Sequence, residues 1–185
     1  MSFVGGVGYS NIDLIYSGLD RLPDKGEEIF ARGFSMQFGG GIPATMINLS
    51  RLGVESRIIT FAGHDLFSEF VKKTLNSYPV KTVNLYKGNK MPVVLSSTLL
   101  YCGDRSFISY TDGMDLNDAV MDEVYENLKG AYVVDMHVGF LDVYKRLKKD
   151  GCIQIFDTGW EDDLTLEKYK DYLEIADYYI NTYYD

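Results

Sequence analysis

Gln37-Phe38-Gly39-Gly40-Gly41-Ile42-Pro43-Ala44-Thr45-Met46-Ile47-Asn48-Leu49-Ser50-Arg51-Leu52-Gly53 is the stretch whose reading decides the fold. Three consecutive glycines present backbone without side chains, and apolar residues at helical spacing follow at once. Pro43 suits a first helical turn, Met46, Ile47, Leu49 and Leu52 form a stripe, and Gly53 can close the segment in left-handed geometry, so a helix is expected over residues 43–52. Bare backbone beside a helix N-terminus suits close approach to a polar ligand. Taken alone, such a glycine run is equally a flexible turn.

Working outward, a short buried strand is expected before this stretch, at residues 3–7, and another after it, at 56–62. Gly8 and Gly63 follow them, and both lead into loops able to hold a ligand. Asp65 stands where a helix N-cap belongs, ahead of Phe67, Phe70, Val71 and Leu75 at three- and four-residue spacing. The second half keeps a regular rhythm: helix 118–128, strand 131–136, helix 141–149, strand 153–156, helix 166–175 and strand 178–180. Strands alternating with helices predict an α/β fold with a mostly parallel central sheet covered on both faces. Ligands of such sheets sit beyond the C-terminal strand ends, where Asn11, Asp13, Gly63, Asp65, His137 and Asp157 fall.

Two segments, at about 14–38 and 81–110, break the alternation. They hold short β-prone pieces with turns at Pro23-Asp24-Lys25-Gly26, Lys87-Gly88-Asn89-Lys90 and Cys102-Gly103-Asp104. A small sheet at the edge of the core is expected from them, standing over the strand ends as a lid.

A chain of 185 residues, 46% hydrophobic with 15 Tyr and 10 Phe, has enough apolar material for one domain core. Its net charge of −9 argues against a nucleic-acid partner, because holding DNA or RNA takes clustered Lys and Arg. Acidity leaves a nucleotide possible through backbone amides, helix N-termini and a metal ion. Met1-Ser2-Phe3-Val4 has no basic leader, and no apolar run nears the roughly 20 residues of a membrane helix, so a cytoplasmic protein without a membrane partner is expected. Cys102 and Cys152 are isolated, as in a reduced protein, and with His64 and His137 they make no zinc spacing. The aromatic ending Asn181-Thr182-Tyr183-Tyr184-Asp185, directly after a strand, reads as a cut through a domain.

Asn11-Ile12-Asp13 puts an amide and a carboxylate on one side of the chain, a pair suited to clamping hydroxyls, although both residues also cap turns. The glycine run is no P-loop, since no Gly-Lys-Ser/Thr follows. Nor is Gly6-Val7-Gly8 a dinucleotide fingerprint, since Asn11 stands where the third glycine belongs. A satisfied histidine is as fitting a reading of His137 as a ligand-binding one.

A glycine pair running into a helix that ends Arg51-Leu52-Gly53, with Asn11-Ile12-Asp13 ahead and Gly63-His64-Asp65 behind, resembles the ribokinase-like (pfkB-type) carbohydrate kinases in their N-terminal part. The resemblance implies a ribokinase-like sandwich with a small β lid, and transfer of the ATP γ-phosphoryl to a sugar or sugar-like hydroxyl with Mg2+. It assigns substrate contacts to Asn11, Asp13, Gly39, Gly40 and Gly41. His137 joins them as the position near which some members carry a substrate-contacting carboxylate. Asn181 and Asp185 fall near the family's Asn-x-x-Glu and are assigned to the cofactor side; no metal ligand is assigned. Departures are visible: Ala44 stands where the family has a substrate-touching Asn, and Gly159 and Glu161 replace the Asn and Arg of an Asp-x-Asn-x-Arg loop. The family's second signature, which carries its anion hole and base, is absent from these 185 residues. Residues 1–185 are therefore expected to form an incomplete ribokinase-like domain with no catalytic residue, inactive alone. The implied ligand is a small sugar or nucleoside, and a homodimer through uncovered lid strands is a further expectation. A non-catalytic sugar- or nucleoside-binding module of the same fold is the alternative, and Ala44, Gly159 and Glu161 favour it.

Overall fold

The computed structural model describes residues 2–159 and 165–180, so Asn181 and Asp185, assigned above to the cofactor side, and Glu161 lie outside the described residues. One sheet runs in the order β10 (Tyr178–Ile180), β9 (Ile153–Asp157), β8 (Ala131–Met136), β1 (Phe3–Val7), β4 (Ser56–Thr60), β5 (Lys81–Asn84). Each neighbouring pair in it is parallel. Parallel neighbours need crossovers, and α1 (Gly41–Arg51), α2 (Leu66–Asn76), α3 (Asp118–Leu128), α4 (Leu141–Lys149) and α5 (Leu166–Ile175) lie along them.

Period-two alternation divides the sheet between two cores. Phe3, Val7, Ile59, Val134, Met136 and Phe156 point into a cluster with Val124, Leu128, Val143, Tyr144 and Leu147 of α3 and α4. Ile58 points the other way, into a cluster with Ile42 and Met46 of α1 and Val71 and Leu75 of α2. The middle of β1 is Gly5-Gly6 because helices press on it from both sides. A methyl group on Gly5 would lie 2.6 Å from Leu128 Cδ2, and one on Gly6 would lie 2.6 Å from Ile42 Cγ2.

A second, four-stranded sheet has the order β3 (Gly33–Gly39), β2 (Asn11–Ser17), β6 (Val94–Tyr101), β7 (Asp104–Tyr110). β2 pairs antiparallel with β3 and parallel with β6, and β6 pairs antiparallel with β7. The β6–β7 hairpin turns on Cys102 at φ 51 and Gly103 at φ 79, two left-handed residues whose twist matches the flanking strands. β7 is exposed along its length, with Ile108 at 72%.

The sheets divide the chain differently from the sequence expectation. The small sheet opens at Asn11, not near residue 14, so Asn11 and Asp13 belong to its first strand. Residues 81–84 are not part of it: Lys81–Asn84 is the edge strand of the central sheet, paired with Arg57 to Thr60 of β4. A short, mostly polar tetrapeptide reads alike as either edge, and here the return from α2 sets it beside β4. α1 also begins earlier than residue 43, because Gly40 takes the N-cap position at φ 105. β4 ends at Thr60, two residues short of the expected end.

Asp65 caps α2 as expected. Its Oδ1 accepts from the N–H groups of Phe67 at 3.0 Å and Ser68 at 2.9 Å, and its Oδ2 accepts from the Ser68 hydroxyl at 2.6 Å. Burial pushes this carboxyl up, but those donors outweigh it and hold the group below its ordinary value. Among the described residues no helix is long and apolar enough to cross a membrane.

Candidate functional site

The site is built where β1 hands the chain to the small sheet and β3 hands it back. In the antiparallel β2–β3 pair Asn11 stands opposite Gly39 and Asp13 opposite Gln37. Strand alternation turns Asn11 and Asp13 to one face, opposite Ile12, which is fully buried. A methyl group on Gly39 would lie 2.7 Å from Asp13 Oδ2 and 3.6 Å from Asn11 Cβ, so the carboxyl leans over bare backbone at the turn. Register extends a polar row across the small sheet, Gln37–Asp13–Ser96–Ser109, and the Ser96 and Ser109 hydroxyls lie 2.8 Å apart. Burial raises the Asp13 carboxyl above its ordinary value, and the positive charge of Arg105 pulls partly against that rise.

Gly40 makes the corner between β3 and α1. Its φ of 105 is a conformation L side chains rarely adopt, and a methyl group there would lie 2.8 Å from the Tyr9 carbonyl oxygen and 3.1 Å from Pro43 Cγ. Gly41, the first residue of α1, is exposed, with nothing within 4 Å of the place of a side chain. No side chain caps this helix. The amides of its first turn, and the positive end of its dipole, are therefore left without a side-chain partner, directly after the Gly39 that Asp13 leans over.

His137 follows β8, half-buried. Its N–H donates to the Tyr144 hydroxyl at 2.8 Å, and two residues on the Gly139 N–H donates to the Tyr172 hydroxyl at 2.7 Å, so α4 and α5 each tie down this loop. The His137 Nδ1 lies 2.7 Å from the Val138 carbonyl oxygen, and its ring meets Tyr9 edge-on at 6.2 Å. Tyr9 thus joins His137 to Gly40, touching one with its ring and abutting the other with its carbonyl. The structure gathers Asn11, Asp13, Gly39 and Gly40 directly, and His137 through Tyr9.

Asp135 was not anticipated from sequence. It lies on β8 opposite Gly6, facing away from the core that holds Val134 and Met136. Burial pushes its carboxyl up to about 6; the Thr45 hydroxyl lowers it in part, and the negative charge of Asp157 raises it further. An aspartate inside an otherwise apolar strand, Tyr132-Val133-Val134-Asp135-Met136, was the available signal.

Distinct hollows lie elsewhere. One of about 790 Å³ opens between Leu19 and the Cys102 hairpin at the far tip of the small sheet. It gathers no glycine-bared helix N-terminus, whereas the strand-end site combines one with the Asn11 and Asp13 side chains, and convergent polar groups outweigh volume. Among the described residues no three His, Cys, Asp or Glu side chains come together to hold a metal ion.

Comparison with known proteins bears on the family and the fold. The sequence profile of the pfkB family carbohydrate kinases matches residues 1–182. A protein of Pyrococcus horikoshii named as an uncharacterized sugar kinase is 35% identical over 92 residues, covering 47% of this chain and 30% of its own. Ribokinase of Thermotoga maritima shares the fold with a TM-score of 0.77 at 17% identity, over 98% of this chain and 59% of its own. Ribokinase of Arabidopsis thaliana, solved with ribose and ATP, does so with a TM-score of 0.75 at 22% identity, over 98% and 60%. The chain thus spans about three-fifths of the length of these solved structures. With a matching family profile over almost all of its residues, the chain belongs to the pfkB family of carbohydrate kinases.

Proposed function

We propose that this chain is the sugar-binding part of an ATP-dependent carbohydrate kinase. The observation that carries the reading is the Asp13 carboxyl leaning over Gly39 beside the uncapped start of α1. Asp13 accepts hydrogen bonds from substrate hydroxyls, Asn11 donates and accepts beside it, and the amides at Gly40 and Gly41 approach the ligand where no side chain intervenes. His137 borders the same opening. The small sheet stands over the site as a lid that excludes water. In this reading the chain binds and orients the hydroxyl, while ATP, when bound with magnesium, supplies the phosphoryl group. The base and the anion hole come from sequence beyond these residues, so the 185 residues alone turn nothing over.

Asp13→Ala is expected to weaken binding of D-ribose, the sugar held by the Arabidopsis relative. Loss of a charge-assisted hydrogen bond of about 1.5 to 3 kcal/mol corresponds to roughly 10- to 150-fold in affinity. Titration calorimetry with D-ribose, followed by other sugars and nucleosides, measures it. Unchanged affinity for whichever sugar binds would remove Asp13 from the site. An ATP-consumption assay with magnesium over the same panel tests the activity: sugar-dependent turnover by these 185 residues alone would show the active site to be elsewhere.

A further inference from the structure

The face of the small sheet that carries Asp13 continues beyond the sugar site. Registers across β2, β6 and β7 are unbroken, so rows of side chains follow one another along that face, about 6.6 Å apart by the rise of two strand residues. The first row is Asp13, Ser96 and Ser109, with the two serine hydroxyls 2.8 Å apart. The second is Ile15, Thr98 and Phe107. Leu100 opposite Arg105 comes third, and with Phe107 and Leu19 these two line the hollow of about 790 Å³ at the tip of the sheet. Site and hollow are thus neighbours on one surface, separated by a single row.

That middle row has two features that point to a ligand. Thr98 is 4% exposed, and its hydroxyl has no hydrogen-bond partner among the described residues, although buried polar groups are normally paired. Phe107 beside it is 46% exposed, with the Arg105 guanidinium 5.6 Å from its ring centre. A half-bare aromatic face is a platform on which a flat ring stacks, and a hollow of this size holds more than a single sugar.

We propose that the substrate is a sugar joined to a flat aromatic ring, the sugar at Asp13 and the ring on Phe107 at the mouth of the hollow. The inference rests on the reading of Asp13 as the sugar contact and names the substrate class of that site. One row of strand suits two directly linked rings, one seated on each row. The Ser96–Ser109 pair uses one proton in its own bond and keeps the other for the sugar. Thr98 lies where the link between the rings passes, and a ring that turns Phe107 aside gives its hydroxyl an acceptor on the ligand. A nucleoside and an aryl glycoside both have this form.

Titration calorimetry on this chain compares each bare sugar with its two-ring counterparts: D-ribose with adenosine and uridine, D-glucose with phenyl β-D-glucopyranoside and cellobiose. The flat ring is expected to raise affinity roughly 5- to 150-fold, the contribution of one stacked ring. A gain confined to the nucleosides, or to the phenyl glucoside, identifies the source of the ring. The ratio of two-ring to bare-sugar affinity should fall to unity in Phe107→Ala and return in Phe107→Tyr, whose ring stacks as well. Thr98→Val, which removes only the hydroxyl, should lower that ratio. Nuclear Overhauser contacts should join the flat ring to Phe107 and Leu100. A parent ratio of unity, an equal gain with cellobiose, or a gain that survives Phe107→Ala overturns the inference and leaves the sugar reading standing. Failure of every sugar to bind, with or without a second ring, overturns both.

Discussion

Gly40→Ala is expected to destabilise the chain by roughly 2 to 6 kcal/mol and to abolish sugar binding. Two costs add at this residue. A non-glycine held in so sparsely populated a backbone region costs on the order of 1 to 3 kcal/mol. Overpacking costs about as much again, because the new methyl group would lie 2.8 Å from a backbone carbonyl, that of Tyr9, which has no rotamer to escape into. Relief requires Tyr9 or the start of α1 to shift, and movement of α1 displaces the corner that follows Gly39, over which Asp13 leans. Urea unfolding measures the first effect and calorimetry the second. Parent-like values in both would mean that the corner is not the strained joint described here. For the stability measurement Gly41→Ala is the control, since that position opens onto free space.

Asp135→Asn is expected to act in the opposite direction and to stabilise the fold at alkaline pH. The folded carboxyl titrates near 6 and its ordinary value is 3.8. Between those values the native chain keeps a proton that the unfolded chain has released, so stability is highest below about 4 and falls as pH rises through about 6. At about 1.4 kcal/mol per pH unit, the ionised carboxyl costs on the order of 3 kcal/mol above that window. Asparagine carries no such charge. The variant should therefore match its parent near pH 4 and exceed it at pH 8, a difference that chemical denaturation at the two pH values resolves. Equal stability at pH 8 would show that the carboxyl is solvated in the native chain.

The secondary structure was legible in the sequence where periodicity and chain punctuation agreed. α3, α4 and α5 begin and end where apolar spacing put them, and Asp65 caps α2 as its position before an apolar helix implied. Boundaries shifted where one residue type serves two roles. Gly40 is both turn and cap, which set the start of α1 earlier, and residues 81–84 are a short polar piece that fits either sheet's edge. Asn11 and Asp13 were recognisable as a same-side pair because strand period alone dictates it. Tyr9 was not, because its importance lies in a contact made across the fold, its carbonyl oxygen against Gly40. Asp135 was hidden for the same reason. Its strand reads as core on hydropathy, and only the packing reveals that its side chain turns toward α1.

The position of β1 in the central sheet carries a consequence for how the molecule comes into being. β1 lies between β4 and β8, and its register joins Phe3 to Ala131, residues 128 apart in the chain. β2 likewise waits for β6, with Asn11 beside Val94. Such distant pairings make folding slow, because loop closure is unfavourable until the contacts themselves compensate it. At roughly 5 to 20 residues per second of synthesis, β1 spends about 6 to 26 seconds with one edge unpaired while the strand that completes it is still being assembled. Nascent chains of this protein are thus exposed to edge-to-edge association during their own translation, and the glycines at the centre of β1, which carry no β-branched side chains, weaken that strand's tendency to pair with a stranger before β8 arrives.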